Sequence, residues 1–126
     1  MAEHSELVRV GWIDTDASGR IHFTVAFRWA EVAEANLYRK VGLLDEWSGN
    51  YPRRHVEADY LRVLRFDDEV QLRIRVASVG RTSITFTWEG QARGEIAVTG
   101  GHTIVRVDEN GRPEPIDDRT RALLLS

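Results

Sequence analysis

Residues 24–42 read TVAFRWAEVAEANLYRKVG, and this stretch decides the fold. No proline interrupts it, Thr24 stands where a helix N-cap belongs, and Gly42 stands where a helix stops. Val25, Trp29, Ala33, Leu37 and Val41 fall in one row at spacing four, and Ala26, Phe27, Ala30 and Val32 carry apolar character well beyond that row. The spacing predicts a helix about 27 Å long, at 1.5 Å per residue, that is covered on more than one side.

Upstream of it, Leu7 to Ile13 alternates, with Val8, Val10 and Trp12 on one face, which predicts a half-buried strand. Asp14 to Gly19 are turn formers whose short side chains bond nearby amides, so a loop is expected just before the helix. Downstream, Asp45 to Pro52 reads as a loop. Strands are then expected over His55–Leu64, Glu69–Ser78, Thr82–Ala92 and Glu95–Asp108, the last bent at Gly100 and Gly101. Gly80, Gly94 and Asn110-Gly111 mark short turns, which force antiparallel neighbours, and Asp117 to Leu125 reads as a final helical turn. One long apolar helix and roughly five antiparallel strands leave few ways to bury both: the sheet must curl around the helix in an α+β fold. Edge strands left by such a sheet are commonly paired across a dimer axis, so a homo-oligomer is expected.

The chain has 126 residues, which predicts one domain over 1–126. With 42% hydrophobic and 29% charged residues it has the balance of a globular protein, and a net charge of −3 argues against a nucleic-acid partner. It has no cysteine, which excludes disulfides, thiolate nucleophiles and Cys-based zinc sites. His55 and His102 lie in strands with no second ligand at a useful spacing, so no metal is expected. The polar, acidic start Met1–Glu6 lacks the features of a secretory signal, and no stretch approaches the ~20 apolar residues of a membrane span. The expectation is a cytoplasmic protein with no membrane contact.

Chemistry concentrates in residues 14–23, Asp-Thr-Asp-Ala-Ser-Gly-Arg-Ile-His-Phe, where two carboxylates and an imidazole immediately precede the helix. The first amides of a helix have no intrahelical partner and carry partial positive charge, so they can hold a developing oxyanion. A carboxylate facing them could attack a carbonyl or activate water against it. Blander readings stand beside this one. Asp14, Asp16, Ser18, Gly19 and Ile21 match the opening of a calcium loop, but the twelfth position is Val25 where a bidentate Glu is needed. The acids could equally be turn and capping residues, and His22 a histidine without a role.

Asp14-x-Asp16-x-x-Gly19, the helix carrying Trp29 and Glu31, the run Val41-Gly42-Leu43, the segment Val56–Leu61 and the turn Val79–Ser83 together resemble the 4-hydroxybenzoyl-CoA thioesterase branch of the hotdog superfamily. The resemblance spans nearly the whole chain and implies a five-stranded antiparallel sheet curled around one long central helix. It implies hydrolysis of an acyl-CoA, or of an acyl group on carrier protein, without a cofactor, by a homodimer or homotetramer. Asp16 is implied as the catalytic acid, either nucleophile or general base, with Asp14 shaping the loop and the Phe23 backbone amide as oxyanion donor. Glu31 is implied at the acyl pocket, and Arg81, Thr82 and Ser83 at the nucleotide end of CoA.

The sequence departs from the family where many members carry Asn-Tyr just inside the helix: Val25 and Ala26 stand there, and His22 replaces a common Tyr or Trp. Smaller apolar residues at the pocket mouth suit an aliphatic or bulkier acyl group. Two other classes compete. Hotdog hydratases and dehydratases resemble a different pattern, a His paired with an acid at the helix entry, which is missing here, and a non-catalytic acyl-binding module shares the fold.

Overall fold

The computed structural model describes residues 1–47, 49 and 51–126. Its elements are β1 (Glu3–Arg9), a short 3-10 turn (Trp12–Asp14), α1 (Val25–Val41), α2 (Leu44–Trp47), β2 (Arg53–Tyr60), β3 (Glu69–Val79), β4 (Ser83–Ala92), β5 (Glu95–Val105) and α3 (Asp118–Leu125). The five strands form one antiparallel sheet in the order β1-β3-β4-β5-β2, so β1 and β2 are its edges.

The sheet curls around α1, as expected. Alternate residues of β3 (Val70, Leu72, Ile74, Val76) and β4 (Ile84, Phe86, Trp88) turn inward and are buried, as are Val25, Ala26, Trp29, Ala30, Ala33, Leu37 and Tyr38 of α1. Gly42 closes α1 in the left-handed conformation (φ 84°), with its amide bonded to carbonyls of the last turn. The helix is not covered all round: Arg28, Glu31 and Val32 are exposed.

The first strand is shifted from its expected span. β1 begins at Glu3 because its inward positions are His4, Glu6 and Val8, of which only Val8 is apolar, so hydrophobic alternation does not reveal them. It ends at Arg9 because the Asp14 carboxylate takes the Gly11 amide (2.8 Å) and turns the chain. Trp12 is consequently 76% exposed, against the edge of Phe66. The span 45–52, expected as loop, begins inside α2. β2 and β5 stop earlier than expected, at Tyr60 and Val105. Pairing runs without a register break through Gly100 and Gly101. Their function is space: a Cβ on Gly100 would lie 2.3 Å from the Trp88 ring. Among the described residues no helix is long and apolar enough to cross a membrane.

Candidate functional site

Loop 14–24 is a small hairpin laid against Leu64 and Arg65 in the connection between β2 and β3. Thr15 bridges Ile21 and Arg20 bridges Arg65, and the Ile21 amide donates to the Leu64 carbonyl (3.0 Å). The Asp16 amide donates to Arg20 O (2.9 Å), the Gly19 amide donates to Asp16 O (2.9 Å), and Gly19 takes φ 80°. A turn followed by a left-handed glycine is the usual three-residue hairpin connection. The hairpin fixes the Asp16 backbone, and Ser18 fixes the side chain: Asp16 Oδ1 accepts from the Ser18 amide (2.8 Å) and from Ser18 Oγ (2.5 Å). These bonds, first the hydroxyl and then the amide, hold the exposed carboxyl below its ordinary range, with His22 and Arg20 adding smaller pulls. Asp16 is therefore a carboxylate at neutral pH, and its Oδ2 has no partner among the described residues.

The chain that enters the helix beside it is held by several backbone hydrogen bonds. The His22 amide donates to Asp14 O (2.8 Å), the Val25 amide to His22 O (3.0 Å), and the Thr24 amide to His22 Nδ1 (3.3 Å). The Tyr60 hydroxyl donates to the Phe23 carbonyl. The Phe23 amide, the implied oxyanion donor, makes no hydrogen bond with another described residue, and neither do the amides of Ala26 and Phe27 in the first turn of α1. Thr24 keeps the N-cap position, but its side chain bonds His22 Nδ1 (2.7 Å) instead of capping α1. Since Nδ1 accepts from the Thr24 amide, the hydrogen bonds assign neutral His22 the tautomer with its proton on Nε2. The ring stacks on Phe23 at 4.6 Å and is exposed.

Asp16, His22 and Phe23 thus share one end of the molecule. Arg20, Ile21, Phe23 and the segment 60–64 line a cleft of about 260 Å³ there, apolar at Ile21, Leu61 and Val63 and rimmed by Arg20 and Arg62; Asp16 and His22 lie outside its lining. Glu31 lies further along α1, exposed and 3.5 Å from Arg53, on a second cleft of about 370 Å³ with Trp47 and Tyr51. Arg81, Thr82 and Ser83 are not brought to Asp16 within the chain. They occupy the β3–β4 turn, at the end of β3 opposite Glu69, where β1 ends and the hairpin begins. At ~3.3 Å per residue the two ends of β3 are roughly 33 Å apart.

One cluster escaped the sequence reading. Glu34, 2% exposed, accepts from His102 Nε2 (2.5 Å) and Arg53 Nη1 (3.0 Å) at Oε1 and from Trp47 Nε1 (2.7 Å) at Oε2. Trp88 Nε1 donates to His102 Nδ1 (3.2 Å), which leaves the ring's proton on Nε2, facing Glu34. Burial pushes the Glu34 carboxyl up, but His102, Arg53 and Trp47 outweigh it and hold it below the ordinary value. The signal was present: a glutamate beside the apolar row of α1, and a lone histidine in an apolar strand. Among the described residues no three His, Cys, Asp or Glu side chains are grouped to hold a metal.

A β-hairpin carboxylate, a free amide at the entrance of a long helix and a sheet wrapped round that helix define a class. The model of the thioesterase-like superfamily matches residues 8–124, and the chain belongs to that family. Its fold is similar to that of a thioesterase from Thermus thermophilus, whose crystal structure holds coenzyme A and zinc (28% identity, 95% of this chain and 90% of that one, TM-score 0.85). It is also similar to a protein from Bacillus stearothermophilus described as a predicted thioesterase (24% identity, 98% and 95% covered, TM-score 0.88). A gentisyl-coenzyme A thioesterase shares the fold at 20% identity (98% and 100% covered, TM-score 0.85). No curated protein matches the chain.

Proposed function

We propose that the protein hydrolyses acyl-CoA thioesters with Asp16 as its reacting carboxylate and the Phe23 amide as oxyanion donor. The observation that carries this reading is the pairing of an ionised, exposed carboxylate, one oxygen free, with the unbonded Phe23 amide at the entrance of α1. As nucleophile, Asp16 bonds the thioester carbon, the amide holds the resulting oxyanion, the thiolate leaves and is protonated, and water cleaves the anhydride. As general base, Asp16 takes a proton from the water that attacks instead.

An oligomer completes this reading. Edge strand β2 is exposed along most of its length, with Val56 46% and Tyr60 44% exposed, and Val32 of α1 is 54% exposed. Such apolar exposure beside an unpaired edge is what a second copy covers. In the assembly, the Arg81 turn that serves a given Asp16 belongs to a second copy. Light scattering at micromolar concentration should give a dimer or tetramer, and a monomer would count against this part.

The test of the chemistry is Asp16→Asn, which keeps shape and turn but removes the charge. On the best acyl-CoA of a panel spanning short, long and aromatic groups, kcat should fall by about 10²–10⁴-fold. Asp14→Asn, altering a residue that bonds Gly11, should cost less activity. Near-full turnover by Asp16→Asn, or no turnover of any acyl-CoA by the unsubstituted protein, would sink the assignment.

A further inference from the structure

We infer that Tyr60 is a positioning residue for the reaction, its hydroxyl holding the helix entrance so that the Phe23 amide stays aimed at the thioester oxygen; this rests on the thioesterase reading above. Phe23 lies outside α1, so no helical ladder fixes it. Two peptide planes flank its Cα. The first, which carries the Phe23 amide, is held through the His22 carbonyl by the Val25 amide. The second is held through the Phe23 carbonyl by the Tyr60 hydroxyl and, on its other side, through the Thr24 amide by His22 Nδ1. Among the described residues, the bond from Tyr60 alone, of those that fix residues 22–24, comes from outside segment 14–25.

Tyr60 is well placed to act as a fixed post. It ends β2 paired with Val98, and the amides of Leu61 and Arg62 that follow both donate to Ala97 O (2.8 and 3.1 Å). Its ring forms one wall of the cleft that Phe23 faces, and that partial burial raises the phenol's pKa, so the proton needed for donation stays on the oxygen. A donor contributes to catalysis only while it points at the site where charge develops. With the Phe23–Thr24 plane free to rock about the Phe23 Cα, the neighbouring plane would keep the amide but lose its aim. The tether reaches the transition state through the backbone, while the cleft that admits substrate keeps its shape.

Tyr60→Phe removes the hydroxyl and leaves the ring. Removing an oxyanion donor outright costs about 10²–10³ in kcat, so misdirecting one should lower kcat by about tenfold, with KM changed less than about twofold. The thermal midpoint should fall by less than about 5 °C, the scale of one lost half-exposed hydrogen bond. A purely structural role would lower the midpoint without this split. Unchanged kcat in Tyr60→Phe beside an inactive Asp16→Asn would overturn the role of Tyr60 and leave the thioesterase reading standing. A rise in KM equal to the loss in kcat/KM would overturn it too, by making Tyr60 a binding contact. Full activity in Asp16→Asn removes the underlying site and this inference with it.

Discussion

Replacing Glu34 by Gln is an isosteric change whose cost follows from which donor meets which atom. Oε1 serves two donors, His102 Nε2 and Arg53 Nη1, and Oε2 serves Trp47 Nε1. A glutamine has one oxygen, and it must take the Oε1 position. The His102 ring cannot reverse its proton, because Trp88 already donates to Nδ1. The new NH₂ group therefore confronts the Trp47 N–H across a gap of 2.7 Å, donor against donor. One buried unsatisfied donor costs about 1–3 kcal/mol, and the weakened charge-assisted bonds to His102 and Arg53 bring the total to about 2–4 kcal/mol. For a chain of this size the thermal midpoint should fall by about 8–16 °C. Calorimetry at fixed protein concentration measures it, and the double variant Glu34→Gln/Trp47→Phe isolates the cause. With the indole N–H gone the conflict disappears, so Trp47→Phe should be neutral or stabilising when added to Glu34→Gln, while destabilising the unsubstituted protein by about 1 kcal/mol. A midpoint shift under about 3 °C, or equal costs of Trp47→Phe in both backgrounds, refutes the reasoning.

Acid should erase the same difference. The folded Glu34 carboxyl lies below its unfolded value of 4.5, so its contribution is fully present above that pH and is lost as pH falls through the folded value; midpoints of the protein and of Glu34→Gln should converge only below about pH 4.5. Gly100→Ala places a Cβ 2.3 Å from the Trp88 ring and 2.7 Å from the Glu57 carbonyl, and should destabilise by about 3 kcal/mol or more. Gly101→Ala, whose nearest atom lies at 3.0 Å, should cost clearly less in the same denaturant titration. Arg81→Ala should raise KM for full acyl-CoA with little change in kcat, and the effect should shrink for substrates lacking the nucleotide. His22→Ala frees the Thr24 amide and should lower kcat by less than Asp16→Asn does.

Much of the fold was legible because its apolar periods are strong: α1 from Val25 to Val41, and the alternation of β3 and β4, are nearly as the sequence spells them. β1 was misplaced because an edge strand can turn His4 and Glu6 inward and satisfy them with polar partners, Asn36 among them. Asp16 could be singled out because turn chemistry and its place before a helix are local properties. Glu34 could not be partnered with His102, since 68 residues separate them and only the curl of the sheet brings them together. The same limit hid the Tyr60 tether and the distance from Asp16 to the Arg81 turn, both of which depend on strand order.

The free amide of Phe23 has a genetic consequence. A main-chain donor is present whatever codon occupies the position, so under the proposed mechanism the phenylalanine can drift through many residues without removing the oxyanion contact. Proline is the exception among encoded residues, because it alone lacks the hydrogen. A saturation library at position 23 screened for turnover should therefore show broad tolerance with one sharp loss, and the rest of its variation should follow side-chain size at the cleft. Ranking positions by tolerance would then place this residue low, although one of its backbone atoms would be among the most consequential in the chain.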